Sequence, residues 1–138
     1  MMLANAAARA GRRGVFLALF GDIYLLIGYS YSGPAVTPAV RHALKAATAV
    51  APLPVYAWGW VAAGAVSVAC GLLSPGRKAA GFTAAVIMPT IWALIYLAAW
   101  IGGDLPRGWV TAAIFTGLAL AVVVVAGMPE PADFKVEP

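Results

Sequence analysis

The sequence predicts an all-α fold, a single membrane domain over residues 1–138 in which four transmembrane helices form a bundle, with a short interfacial amphipathic helix between the first two. Three observations lead there. Of the 138 residues, 63% are hydrophobic and 10% charged. A soluble domain carries about 25% charged residues, so this chain has too little polar surface to coat a water-soluble globule. The apolar residues gather into four runs, each close to the ~20 residues that a bilayer crossing needs. Short segments rich in Gly, Pro and basic residues separate the runs.

The first span covers about 14–30 and follows Arg9, Arg12 and Arg13. Gly11-Arg12-Arg13-Gly14-Val15-Phe16-Leu17 has a faint look of a twin-arginine export signal. No small-residue cleavage site follows promptly and three more spans come later, so an uncleaved anchor is expected. Gly33-Pro34 breaks the helix, and Thr37-Pro38 reads as an N-cap with proline at the first helical position. Over about 38–51, Val40, Leu44, Ala47 and Ala51 recur at helical spacing on one side, with Arg41, His42, Lys45 and Thr48 on the other. That pattern suits an amphipathic helix lying in the membrane interface, a solvated linker being the alternative. Pro52 and Pro54 end it.

The second span covers about 55–73 and closes at Ser74-Pro75-Gly76-Arg77-Lys78. The third, about 81–101, closes at Gly102-Gly103-Asp104-Leu105-Pro106-Arg107. The fourth covers about 109–128, and a polar, proline-punctuated C-terminal tail over 129–138 is expected to be disordered. With four spans, both termini and the loop between spans two and three share one side of the membrane. That side has Arg9, Arg12, Arg13, Arg77, Lys78 and Lys135, whereas the other has Arg41, Lys45 and Arg107. The excess of basic residues is expected to keep both termini in the cytoplasm. Tyr29, Tyr31, Tyr56, Trp58, Trp60, Trp100 and Trp109 fall near the outer ends of the spans, where aromatic residues serve as interface anchors. The net charge of +4 is spread over span ends, which topology explains, so nucleic acid is not an expected partner.

Asp22 is the most unusual residue, a carboxyl group in the middle of the apolar run Val15 to Gly28. Such a group marks a functional or helix-packing site. It continues a row of small residues at four-residue spacing, Gly14, Ala18, Asp22, and residues four apart share a helix face. Asp22 is therefore expected to face other helices, with Thr90 and Ser67 as candidate partners near its depth. A neutral Asp22 would act as polar glue between helices, and an ionised one would need a hydrated path. Similar rows are Gly59, Ala63, Ser67, Gly71 in the second span, Gly81, Ala85, Pro89, Ala93 in the third, and Ala113, Gly117, Ala121 in the fourth. Small residues in such rows let helix backbones approach closely in lipid. Pro89 is expected to kink the third span. Trp92, Tyr96 and Trp100 form an aromatic stripe there, read as packing or anchoring.

The chain has one His (His42) and one Cys (Cys70), on separate segments, which supply no metal site. No intrachain disulfide is possible. The sequence has no nucleophile–base pair, no phosphate loop and no paired carboxylates, so neither catalysis nor a cofactor is expected.

The third-span run Trp92-Ala93-Leu94-Ile95-Tyr96-Leu97-Ala98-Ala99-Trp100, followed by Pro106-Arg107-Gly108-Trp109 opening the fourth span, resembles small four-span phage membrane proteins of the holin-like type from high-GC Gram-positive hosts. The resemblance covers roughly the second half of the chain. It implies a protein that accumulates in the bacterial cytoplasmic membrane, forms a homo-oligomer, and permeabilises or depolarises the bilayer during phage lysis of the host cell. It transfers no catalytic residues. Asp22, Ser67, Thr83, Thr90 and Thr116 are few polar groups for a wide lumen, which points to small depolarising lesions rather than a large hole. Two alternatives stay open: a non-catalytic accessory or scaffold subunit of a larger membrane complex, and a small proton-coupled carrier using Asp22.

Overall fold

Six α-helices form among the residues that the structure, a computed structural model, describes: 2–32, 36–73 and 75–129. The Gly33-Pro34 break, Ser74 and the tail from Glu130 onward lie outside the described residues. Helix α1 spans Met2–Ser32 and bends at Gly11, whose φ of 67° and ψ of 178° suit only glycine. The bend marks the start of the first apolar span, Gly11–Ser32. Helices α2 (Pro38–Ala43) and α3 (Lys45–Val50) follow, then α4 (Leu53–Leu72), a 3-10 turn over Pro75–Arg77, α5 (Lys78–Ile101) and α6 (Gly108–Gly127). The Gly11–Ser32 part of α1 and helices α4, α5 and α6 are each long and apolar enough to cross a membrane.

Small residues seven apart set the packing. Gly14, Gly21 and Gly28 of α1 lie against Gly71, Gly64 and Ala57 of α4, with an antiparallel register in which the two numbers of each pair total 85. A Cβ placed on Gly64 would come 2.6 Å from the Gly21 carbonyl oxygen, and one on Gly71 would come 2.6 Å from that of Gly14. One on Gly28 would stand 2.8 Å from the Ala57 carbonyl oxygen. The two backbones touch, a close approach that the small residues at these positions permit. A seven-residue repeat keeps one helix face toward its partner, slipping by about 20° per repeat. Helix α5 packs on this pair, mainly through α4, and α6 packs on α5. The chain thus winds α1–α4–α5–α6, and the start of the α1 span meets the C-terminal end of α6 where Arg13 donates to the Ala126 carbonyl oxygen at 2.7 Å.

The interfacial segment differs from its expected form. It is two short helices, interrupted at Leu44 (φ −96°, ψ 13°). Leu44 and Ala47 are buried in the protein core and α3 packs on α5, so this apolar side turns to the bundle instead of to lipid. The Tyr56 hydroxyl pins it by donating to the Ala47 carbonyl at 3.0 Å. Arg41, His42, Lys45 and Thr48 stay exposed, as amphipathic spacing requires.

Candidate functional site

The centre of the bundle is filled with aromatic rings. Trp60, Trp92 and Tyr24 are each 0% exposed. Trp60 meets Tyr24 and Trp92 edge-to-face, at 4.9 Å and 5.7 Å between centroids, and Phe115 at 6.0 Å with the rings tilted. Trp92 continues the chain of rings to Tyr56 at 5.1 Å and Tyr31 at 5.6 Å, and its indole N–H donates to the Tyr31 hydroxyl at 3.4 Å. Edge-to-face geometry suits the ring quadrupoles, and the buried rings occupy the space between these helices. The Trp60 Nε1 is buried without a hydrogen-bond acceptor, hemmed in by those rings.

The main polar lock in this core is Tyr24, which the sequence reading passed over. Pro89 lies inside α5 and has no N–H, so the carbonyl four residues earlier, that of Ala85, loses its helical donor. The Tyr24 hydroxyl donates to that oxygen at 2.7 Å. Proline in a membrane helix is tolerated when a neighbour satisfies the freed backbone group in this way. The signal was present: a mid-span proline names the carbonyl it frees, and the glycine heptads name the face of α1 that reaches it. Ser67 is likewise buried, and its hydroxyl donates to the Ala63 carbonyl at 2.7 Å with a longer contact of 3.4 Å to Gly81 on α5.

Asp22 is placed otherwise than expected. It is exposed on the outer side of α1 and meets neither Thr90 nor Ser67. The reason is angular. At 3.6 residues per turn, four residues advance about 400°, so a four-residue row drifts about 40° per step. Gly14 is buried, Ala18 half-buried and Asp22 outside. Thr90 is also exposed, its hydroxyl donating to the Val86 carbonyl of its own helix at 2.8 Å. The same drift turns the α4 row from one neighbour to another: Gly59 meets Met88 of α5, Ala63 and Ser67 are buried, and Gly71 meets Gly14 of α1. In α6, Ala113, Gly117 and Ala121 all face outward, and a Cβ on Gly117 would have no atom within 4 Å. Its bundle side is carried by Ala112, Ala119 and Val122.

The aromatic residues expected as anchors divide into two sets. Tyr29, Trp58, Trp100 and Trp109 are exposed, in position to anchor. Trp60 belongs to the core, and Tyr31 and Tyr56 are half-buried against it, because their helix faces turn toward Trp92. At the C-terminal end of α6, the Arg13 guanidinium lies 5.1 Å from the Phe82 ring centroid and holds the last turn of the helix, where a cation complements the helix dipole. At the opposite end of the bundle a cleft of about 380 Å³ is lined by Tyr31, Ser32, Arg41, Thr48 and Leu53, among others. Among the described residues no three of His, Cys, Asp or Glu gather as metal ligands do.

Comparison with family models, with curated proteins and with solved structures finds no match to this chain. The fold itself defines the class: an all-α, multi-pass membrane protein with a solid aromatic core. Its one mid-span carboxyl group faces outward. By membrane-insertion scales an acidic residue at the centre of a span costs about 2.5–3.5 kcal/mol.

Proposed function

We propose that this chain is a holin-like protein of the bacterial cytoplasmic membrane, with both termini in the cytoplasm, which self-assembles and permeabilises or depolarises the bilayer as an assembly. The observation that carries the reading is the direction of its polar groups. The bundle interior is sealed by Trp60, Trp92 and Tyr24, while Asp22, Thr83, Thr90 and Thr116 stand on the outside. Chemistry turned outward serves contacts between copies, and any aqueous defect then forms between copies and not through one. The six basic residues assigned to the cytoplasmic side support the orientation.

One observation favours a second reading, an accessory or scaffold subunit. The outer face of α6, with Ala113, Gly117 and Ala121 unoccupied, is open to a helix of another protein. Induced expression in a bacterium, followed with a membrane-potential dye, separates the two. Abrupt depolarisation and growth arrest are expected for the holin-like reading. Sustained potential at full membrane expression overturns it in favour of the subunit.

A further inference from the structure

Asp22 and the outer groove between α5 and α6 are complementary in chemistry and opposite in direction. Asp22 comes two residues before Tyr24, and two residues on a helix are about 200° apart. With Tyr24 buried in the core, Asp22 looks away from it. Thr90 stands in the same relation to buried Trp92 and looks outward from the far side of the bundle. There it lines a groove of about 270 Å³ with Val86, Ala93, Thr116, Ala119 and Val123. Asp22 lies eleven residues from the Gly11 end of its span, Thr90 twelve from Lys78 and Thr116 eleven from Gly127, so all three occupy middle turns.

Hydrogen-bond capacity decides what suits the groove. The Thr90 hydroxyl spends its proton on the Val86 carbonyl and the Thr116 hydroxyl spends its own on that of Ala112, both at 2.8 Å. Each oxygen keeps only acceptor capacity. A ligand for this groove therefore brings a donor, at mid-bilayer depth, on a surface otherwise apolar. In its neutral form a carboxyl group has one O–H to donate. The exposed surroundings of Asp22 are apolar as well: Leu19, Ile23 and Leu26.

We propose that the α5/α6 groove is the docking site for a second copy of this chain, whose Asp22 carboxyl group donates to Thr90 or Thr116 in a head-to-tail contact. This rests on the self-assembly reading above and names its interface. Donor and acceptor lie on opposite sides of one bundle, so each copy offers both halves of the contact, and such contacts propagate into rings or open arrays.

Cross-linking in membranes tests it with the full chain, Cys70 replaced by Ala. Leu26 lies one turn above Asp22 and Leu94 one turn above Thr90, and both are exposed. Membranes holding a mixture of Leu26→Cys and Leu94→Cys chains are expected to give an oxidative 26–94 dimer. In the same backgrounds Asp22→Asn, which keeps a donor, should preserve it. Asp22→Leu, and separately Thr90→Val with Thr116→Val, should weaken association measured by energy transfer between labelled copies roughly three- to fifteenfold, the range of measured interhelical hydrogen bonds. A dominant 26–26 dimer, or a 26–94 dimer indifferent to Asp22→Leu, overturns the contact while leaving self-assembly standing. Monomers by every readout overturn both.

Discussion

The α1–α4 pair and helix α6 are both apolar membrane-length helices, yet they are held in opposite ways. The pair meets backbone to backbone through glycines seven apart, with Cβ positions blocked at 2.6–2.8 Å. Helix α6 is the most apolar of the four spans and the least buried: 11% of its most apolar stretch is buried, against 33% in α4 and α5. Its outward glycines, Gly117 and Gly127, are open: a Cβ on either would meet no atom within 4 Å. In water, the greasiest helix would be the most deeply buried. In lipid no such force acts between helices, and close approach decides instead. Hydropathy therefore reports where this chain resides, while small residues report what packs on what.

The largest expected effect breaks that contrast directly. Gly64→Val puts branched carbons where the Gly21 carbonyl sits and should destabilise the bundle by about 2–3 kcal/mol. Gly117→Val makes the same chemical change with the same change in helix propensity, and should stay within about 0.5 kcal/mol. Thermal unfolding in detergent, read by near-ultraviolet circular dichroism from the core tryptophans, compares them. Equal losses would mean that the outer face of α6 is packed in the isolated protein and that the contrast is unfounded.

This contrast also shows how far the sequence could be read. Helix number and membrane class follow from local hydropathy, and the four apolar spans are legible in the runs themselves. Facing is not local. Gly14, Ala18 and Asp22 look like one row, but a 40° drift at each step carries Asp22 out of contact, whereas the seven-residue rows Gly14–Gly21–Gly28 and Ala57–Gly64–Gly71 hold their direction. Trp60 sits only seven residues into α4, where an anchor is natural, and nothing short of the neighbouring Tyr24 and Trp92 reveals it as core. Leu44 and Ala47 show the right amphipathic pattern. Their target, protein instead of lipid, depends on α5 being beneath them.

A middle-sized effect tests the polar lock between α1 and α5, a third mode of attachment besides glycine contact and bare grease. Tyr24→Phe removes only the hydroxyl and leaves the Ala85 carbonyl buried without a donor, a loss of about 1–2 kcal/mol. Pro89→Ala gives that carbonyl a helical N–H again. In the Pro89→Ala background Tyr24→Phe should therefore lose most of its effect, with a coupling of about 0.5–1.5 kcal/mol in a double-mutant cycle. Additive losses would mean that the Tyr24 hydroxyl matters for reasons other than the carbonyl freed by proline.

The smallest effect concerns a polar tie that reaches α6 from α1. Arg13 donates to the Ala126 carbonyl and lies over Phe82, whereas its neighbour Arg12 is exposed. If α6 is otherwise held only by apolar packing, on α5 and through Phe115 on Trp60 of α4, its last turn depends on that guanidinium. Arg13→Met keeps much of the aliphatic bulk and removes the charge, which at a helix C-terminus is worth about 0.3–1 kcal/mol. Amide hydrogen exchange over Val124–Gly127 should then accelerate about two- to fivefold, while Arg12→Met leaves it unchanged. Acceleration by both substitutions alike would assign the effect to net charge at the membrane surface. Acceleration by Arg13→Met alone would identify the Arg13 contact as what closes the circle from the fourth span back to the first.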